Sequence, residues 1–248
     1  MKVHSIAALI ALGSLGGVAA LADDDAPFTE EFPLESCRFV PWGGNAYFRL
    51  QPGLQLRYSN AACVAGGDCD SLDEVEITVL PRTRDIRLRI DDQWRTVRTR
   101  VLREFETSNG VVKEISYNYF ATCQPGGDVY YFGEDVFDGA GKPLADAWLA
   151  GRKGAEPGII MPGGAFLLGA RYFQEMAPGV ALDRAEHVAL DIELETEAGE
   201  FEDCVLIEET TPLEPGSSSE KTYCPGVGLV LDDELELVSI HDPYGKDD

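Results

Sequence analysis

Apolar and polar residues alternate along this chain at the two-residue period of a β-strand, segment after segment, and this constrains its fold more than any other feature. The clearest run is Asp73 to Ile90. Val75, Ile77 and Val79 alternate with Glu74, Glu76 and Thr78, and Ile86, Leu88 and Ile90 alternate with Arg87 and Arg89. Pro81-Arg82-Thr83 interrupts the run, which predicts a hairpin pairing Ile77 with Leu88. That register gathers six apolar side chains on one face and sets Glu76 against Arg89 on the other. Further strands are predicted over 96–105, 111–121, 129–137, 165–175, 188–196, 201–211, 220–224 and 235–240. Asn109-Gly110 is a strong hairpin turn signal. Residues 139–164 are rich in Gly and Pro and predict a long excursion, with one helical turn over 144–149. No long helical period or solenoid repeat occurs. The expectation is a mainly β chain with little helix, built as one antiparallel curled sheet or half-barrel.

The N-terminal segment has the form of a secretory signal. Lys2 supplies the positive region, Ile6 to Leu12 a short apolar core, and Ala20-Leu21-Ala22 a small-x-small cleavage pattern. The core is too short to span a bilayer, and Gly13, Gly16 and Gly17 interrupt the residues after it. The expected divisions are a cleaved segment 1–22, a loose acidic arm 23–44, a β domain 45–240 and an acidic tail 241–248. The chain has 248 residues, 20 basic and 44 acidic, for a net charge of −24. Cleavage removes one Lys and no acid, leaving 19 against 44 and a net charge of −25. Such a surface repels nucleic-acid phosphates and anionic lipid, and keeps a protein soluble. Neither a nucleic-acid partner nor a membrane span is expected.

All six cysteines lie beyond residue 22, and an even count in an exported chain implies disulfides. Cys63 and Cys69 share one Gly-rich loop. Cys204 and Cys224 flank the turn 212–218 and can face each other on two antiparallel strands. Cys37 with Cys123 is then left by elimination from the 15 possible pairings. A zinc site is disfavoured, because there is no C-x-x-C and only His187 and His241 lie beyond the signal.

Several segments, taken together in order and spacing over about residues 45–240, resemble a family of exported bacterial proteins with no assigned activity. Residues 45–53 (NAYFRLQPG) resemble its start and 130–135 (YYFGED) its most distinctive motif. Similar too are 157–162 (PGIIMP), Gly169 with 172–175 (YFQE), and Pro178-Gly179 before Asp183. The closing pair is 212–216 (PLEPG) and 223–230 (YCPGVGLV). Cys204, Cys224 and the Cys63–Cys69 loop depart from that pattern. The strand order is also similar, more weakly, to the half-barrels that carry lipid or lipoprotein through the periplasm, which implies an acyl chain held on a concave apolar face.

Three motif carboxylates, Glu134, Glu175 and Glu214, each end a strand or begin a turn. If they converge they supply oxygen ligands for Ca²⁺, or a pair for general acid and base work; otherwise they cap turns. Asp68, Asp70, Asp73 and Glu74 form a second acidic cluster, but Leu72 breaks the EF-hand pattern. Eight arginines between Arg82 and Arg103 form a basic block, which the acids of 191–197 could neutralise across a sheet. Tyr117, Tyr119, Phe120, Tyr130, Tyr131 and Phe132 cluster, and on adjacent strands alternate members would line one apolar wall, either core or pocket. His187 has acidic neighbours that would raise its pKa. The chain has no nucleophile elbow, zinc-protease motif or phosphate-binding loop, so no catalytic residue is assigned.

The leading expectation is an exported, non-enzymatic binding protein. It would hold a hydrophobic small molecule or lipid against Tyr117, Tyr119, Tyr131 and Ile160, or bind another exported protein. A Ca²⁺-dependent interaction module on Glu134, Glu175 and Glu214 is the alternative, and a carboxylate hydrolase the third reading.

Overall fold

The computed structural model describes residues 27–245, so the predicted signal segment 1–22 and the last three residues of the acidic tail lie outside it. Fifteen strands and two short helices succeed one another along these residues. A 3₁₀ turn, Leu34–Ser36, precedes β1 (Arg38–Val40) and β2 (Gln55–Ser59). After α1 (Ala61–Gly66) come β3 (Asp73–Ile90), β4 (Gln93–Ser108), β5 (Val111–Gln124) and β6 (Val129–Asp138). Next are β7 (Trp148–Leu149), β8 (Glu156–Met161), β9 (Arg171–Phe173) and β10 (Glu175–Met176). The chain finishes with β11 (Arg184–Thr196), β12 (Gly199–Thr210), β13 (Ser218–Cys224), β14 (Gly228–Asp232) and β15 (Leu235–His241).

All strands belong to one antiparallel sheet in the order β10-β8-β6-β5-β4-β3-β2-β15-β14-β13-β12-β11-β9, with β1 added on β5 and β7 on β6. The hydrogen-bonded path is open. Its two terminal strands, β9 and β10, are neighbours in the chain with only Gln174 between them. Gly158 of β8 makes room for this link, since a Cβ there would lie 2.4 Å from the Phe173 carbonyl oxygen and 2.5 Å from the Gln174 carbonyl.

The alternation in 73–90 does produce strand, but one continuous strand and not the predicted hairpin. The chain reverses at Asp91-Asp92, whose φ of 50° and 58° make the two-residue turn that suits antiparallel strands. Asn109 and Gly110, with φ of 50° and 73°, make the next such turn, as predicted. Pro81 does not end β3, because it sits in a bulge where the ladder shifts between Val79↔Leu102 and Thr83↔Arg100. An unpaired bulge position needs no N–H, so proline is tolerated there. The buried Arg100 guanidinium donates to the carbonyls of Pro41, Leu80, Pro81 and Arg82, satisfying acceptors that the ladder leaves free. The predicted contact of Glu76 with Arg89 is replaced accordingly. Glu76 accepts from Arg57 at 3.0 Å and Arg103 at 2.5 Å, while Arg89 pairs with Asp92.

Three further expectations are corrected. From Thr29 onward the supposed loose arm is packed: Thr29 bridges Tyr172, β1 pairs with β5, and Phe32 and Phe39 meet the Tyr130 ring edge-on at 5.9 and 5.3 Å. The excursion 139–164 contains β7 and β8, and residues 144–149 form a turn and a strand with no helical turn. The Cys63–Cys69 loop is largely α1, closed by Gly67 at φ 85°.

Disulfides join Cys37–Cys123, Cys63–Cys69 and Cys204–Cys224, the pairs that position in the chain favours. Three such bonds point to an oxidising, extracytoplasmic environment. Among the described residues no helix is long and apolar enough to cross a membrane.

Candidate functional site

One face of the sheet borders an interior cavity of about 290 Å³, with lining side chains from ten of the fifteen strands. Register explains its two-part character. On β5 the cavity-facing residues run from Phe120 through Asn118 and Ser116 to Glu114; on β4 they run from Leu102 to Glu104 and Glu106. One end is therefore apolar, with Leu56 and Val79 beside Leu102 and Phe120, and the other is acidic. Phe120 and Tyr131 stack at 4.6 Å on the apolar wall.

The acidic end has two unlike halves. On β12 to β14, the half-buried Lys221 lies 2.9 Å from Glu209 and 3.6 Å from Asp232, so its charge is balanced. Burial alone would discharge this amine, but the two carboxylates hold its pKa well above the usual value. On the other half, Glu134 of β6, Glu175 of β10 and Asp183 before β11 line the cavity with no salt bridge among the described residues. Burial pushes the Glu134 carboxyl up to about 8, against the opposing pull of the Tyr131 hydroxyl beside it. Burial, then Asp183 and Glu134, raise Glu175 well above the carboxylate range. Glu175 is only 6 % exposed, and its Oε2 has no hydrogen-bond partner among the described residues. Glu104, raised to about 7 by burial and the neighbouring Glu106, lies between the two halves. Tyr131 donates to Asn118 at 2.5 Å, which fixes its ring against Phe120.

The structure distributes the sequence candidates unevenly. Tyr131, Ile160, Glu134 and Glu175 all line the cavity. Tyr117 and Tyr119 alternate out to the opposite face of β5. There Arg82 lies over the Tyr117 ring, and Tyr119 donates to Asp135 while accepting from Arg84 at 2.6 Å. Tyr131 stands opposite Phe120 in the ladder, so it shares the Phe120 face of the sheet and not the Tyr117–Tyr119 face. Glu214 sits on an exposed turn, 212–216, away from the other two carboxylates. Among the described residues no three Asp, Glu, His or Cys side chains are grouped to hold a metal ion, and this includes the Asp68–Glu74 cluster.

Four of the eight arginines in the basic block form salt bridges, with partners other than the expected acids. Arg84 pairs with Asp135, Arg98 with Asp85, and Arg103 with Glu76; the acids of 191–197 take part in none of the salt bridges described. His187 stacks on Phe166 at 3.6 Å, contacts the Tyr172 hydroxyl and has Nδ1 3.0 Å from the Leu167 carbonyl. Its pKa is not raised: burial pushes it down to about 4. Glu104 and Lys221 were not singled out from the sequence, and Asp183 was noted only as a motif position, without a role in a site. A usable signal existed for Glu104, which falls on the Leu102 face of its strand and so puts a carboxylate on an apolar side. The segments around Phe48, Tyr131, Ile160, Glu175 and Leu229 all converge on the cavity. No family model, curated protein or solved structure matches the chain.

Proposed function

We propose that this chain is an exported, non-enzymatic binding protein that takes a hydrophobic small molecule into the interior cavity, with the sheet curling around it as a half-barrel. The cavity carries the reading. Its volume of about 290 Å³ is at the small end of ligand pockets, which span roughly 300–1,000 Å³. That size suits a short-chain or single-ring molecule better than a two-chain lipid. The apolar wall supplies burial energy, and a few buried polar groups fix orientation, as in most small-molecule sites. The three disulfides and the N-terminal signal pattern are consistent with delivery to the periplasm or the medium.

Native mass spectrometry of the protein isolated from its own exported fraction tests this. The expected spectrum shows a non-covalent small-molecule adduct on the wild-type chain and a bare mass for Ile160→Trp, which fills the cavity. An adduct retained by Ile160→Trp would place the ligand elsewhere. A bare wild-type chain that also takes up no octanol would end the binding reading.

A further inference from the structure

We infer that the ligand carries an organic ammonium group, seated against Glu134, Glu175 and Asp183, with its hydrocarbon body along the Leu102–Phe120–Tyr131 wall. This rests on the cavity-binding reading above and names the ligand class. Two independent features point to it. The first is the uneven charge of the acidic end. Lys221 neutralises Glu209 and Asp232, but among the described residues no salt bridge joins a cation to the other half. The second is Glu175 itself: a carboxyl 6 % exposed, facing the cavity, coupled to Asp183 and the Trp148 indole, whose Oε2 meets no donor at full hydrogen-bond geometry among the described residues. Leaving a buried acceptor unmade is costly, and a ligand donor reaching it recovers that cost. A protonated amine supplies three donors and one positive charge, and on binding it draws Glu134 and Glu175, whose protons burial otherwise holds, to their carboxylate forms. A divalent metal ion fits less well, because it requires a closed set of oxygen ligands and no such group exists among the described residues.

Position along the strands adds geometry. The change from Leu102 to Glu104 on β4, and from Phe120 to Asn118 on β5, gives the cavity a polarity along its length. A linear molecule with a charged head and an apolar tail therefore has one favoured direction of entry. Octanoate, with the opposite head charge, would meet unpaired carboxyls.

Calorimetry on the wild-type protein with octylamine, octanol and octanoate as probes decides the matter. The expected order is octylammonium tightest by about tenfold or more over octanol, with octanoate weakest. Glu175→Gln is expected to bring octylammonium down to the affinity of octanol while leaving octanol unchanged. Glu134→Gln provides the same comparison should the first variant fail to fold. Equal binding of octanol, or tighter binding of octanoate, would overturn the ammonium assignment and leave the cavity reading standing. Failure of all three probes would overturn both. Displacement of octylammonium by calcium chloride, but not by sodium chloride of equal ionic strength, would reassign the carboxyls to a metal.

Discussion

Glu134 and Glu104 bind their protons more tightly in the folded chain than in the unfolded one, with pKa values pushed up from 4.5 to about 8 and about 7. Their contribution to stability is complete below 4.5 and is lost as pH rises through those folded values. His187 acts with the opposite sign: held neutral by burial, it contributes fully above 6.5 and loses that contribution as pH falls toward about 4. Above pH 6.5 the histidine is therefore constant, and the window up to about 8 belongs to the carboxyls. Thermal melts should fall across that window, by roughly 1 kcal/mol of stability per pH unit per group before screening. Glu134→Gln should flatten the slope. A slope unchanged by the substitution would show that Glu134 is already ionised in the native protein.

Among the elements, β6 carries a tight backbone constraint beside the site. Gly133 has φ 124°, and a Cβ there would lie 2.3 Å from the Trp148 carbonyl oxygen and 2.8 Å from the Leu149 Cα. This close approach lets β7 pair with β6 and turns Glu134 toward the cavity beside Tyr131. Gly133→Ala should cost about 2–4 kcal/mol in urea unfolding, since both the dihedral and the contact are unfavourable. Gly110→Ala, at a hairpin turn with nothing within 4 Å of the added atom, should cost about 1 kcal/mol. Equal costs would mean that β6 and β7 separate easily. The strands of this region differ in how plainly they appear in the sequence. β3 keeps the alternation and Asn109-Gly110 marks the turn from β4 to β5, whereas β6 opens on Val129 to Phe132, apolar and buried without alternation. β7 and β8 lie in a Gly- and Pro-rich stretch, where short strands buried on both faces lose the alternating pattern.

At the scale of the molecule, the disulfides span very different lengths of chain: 86 residues for Cys37–Cys123, 20 for Cys204–Cys224 and 6 for Cys63–Cys69. If restriction of the unfolded chain dominates, Cys-to-Ser double variants should lose about 4–5, 3 and 2 kcal/mol in that order. Thermal or urea unfolding of the three variants checks the ranking. A larger loss at Cys63–Cys69 than at Cys37–Cys123 would show that native contacts outweigh loop entropy. The first bond has a further role, because it fastens the segment before β1 to β5, where Phe39 packs on Tyr130 and Phe132.

Local pattern alone determined that this chain is a mainly antiparallel β protein with three disulfides, because strand period, turn residues and cysteine position are properties of neighbouring residues. The sequence reading also marked Tyr131, Ile160, Glu134 and Glu175, which line the cavity, and Tyr117, Tyr119 and Glu214, which do not. The relations between distant strands lay beyond its reach. The bulge at Pro81, filled by Arg100 from the next strand, converts an apparent hairpin into one long strand. The return of β9 and β10 to opposite ends of the strand order brings Glu175 and Asp183 to Glu134, and β13 carries Lys221 to Glu209 and Asp232. Glu134 and Glu175 lie 41 positions apart, and Lys221 meets acids on two neighbouring strands, so only tertiary structure decides which carboxylates share a site and which, among the described residues, have no salt bridge.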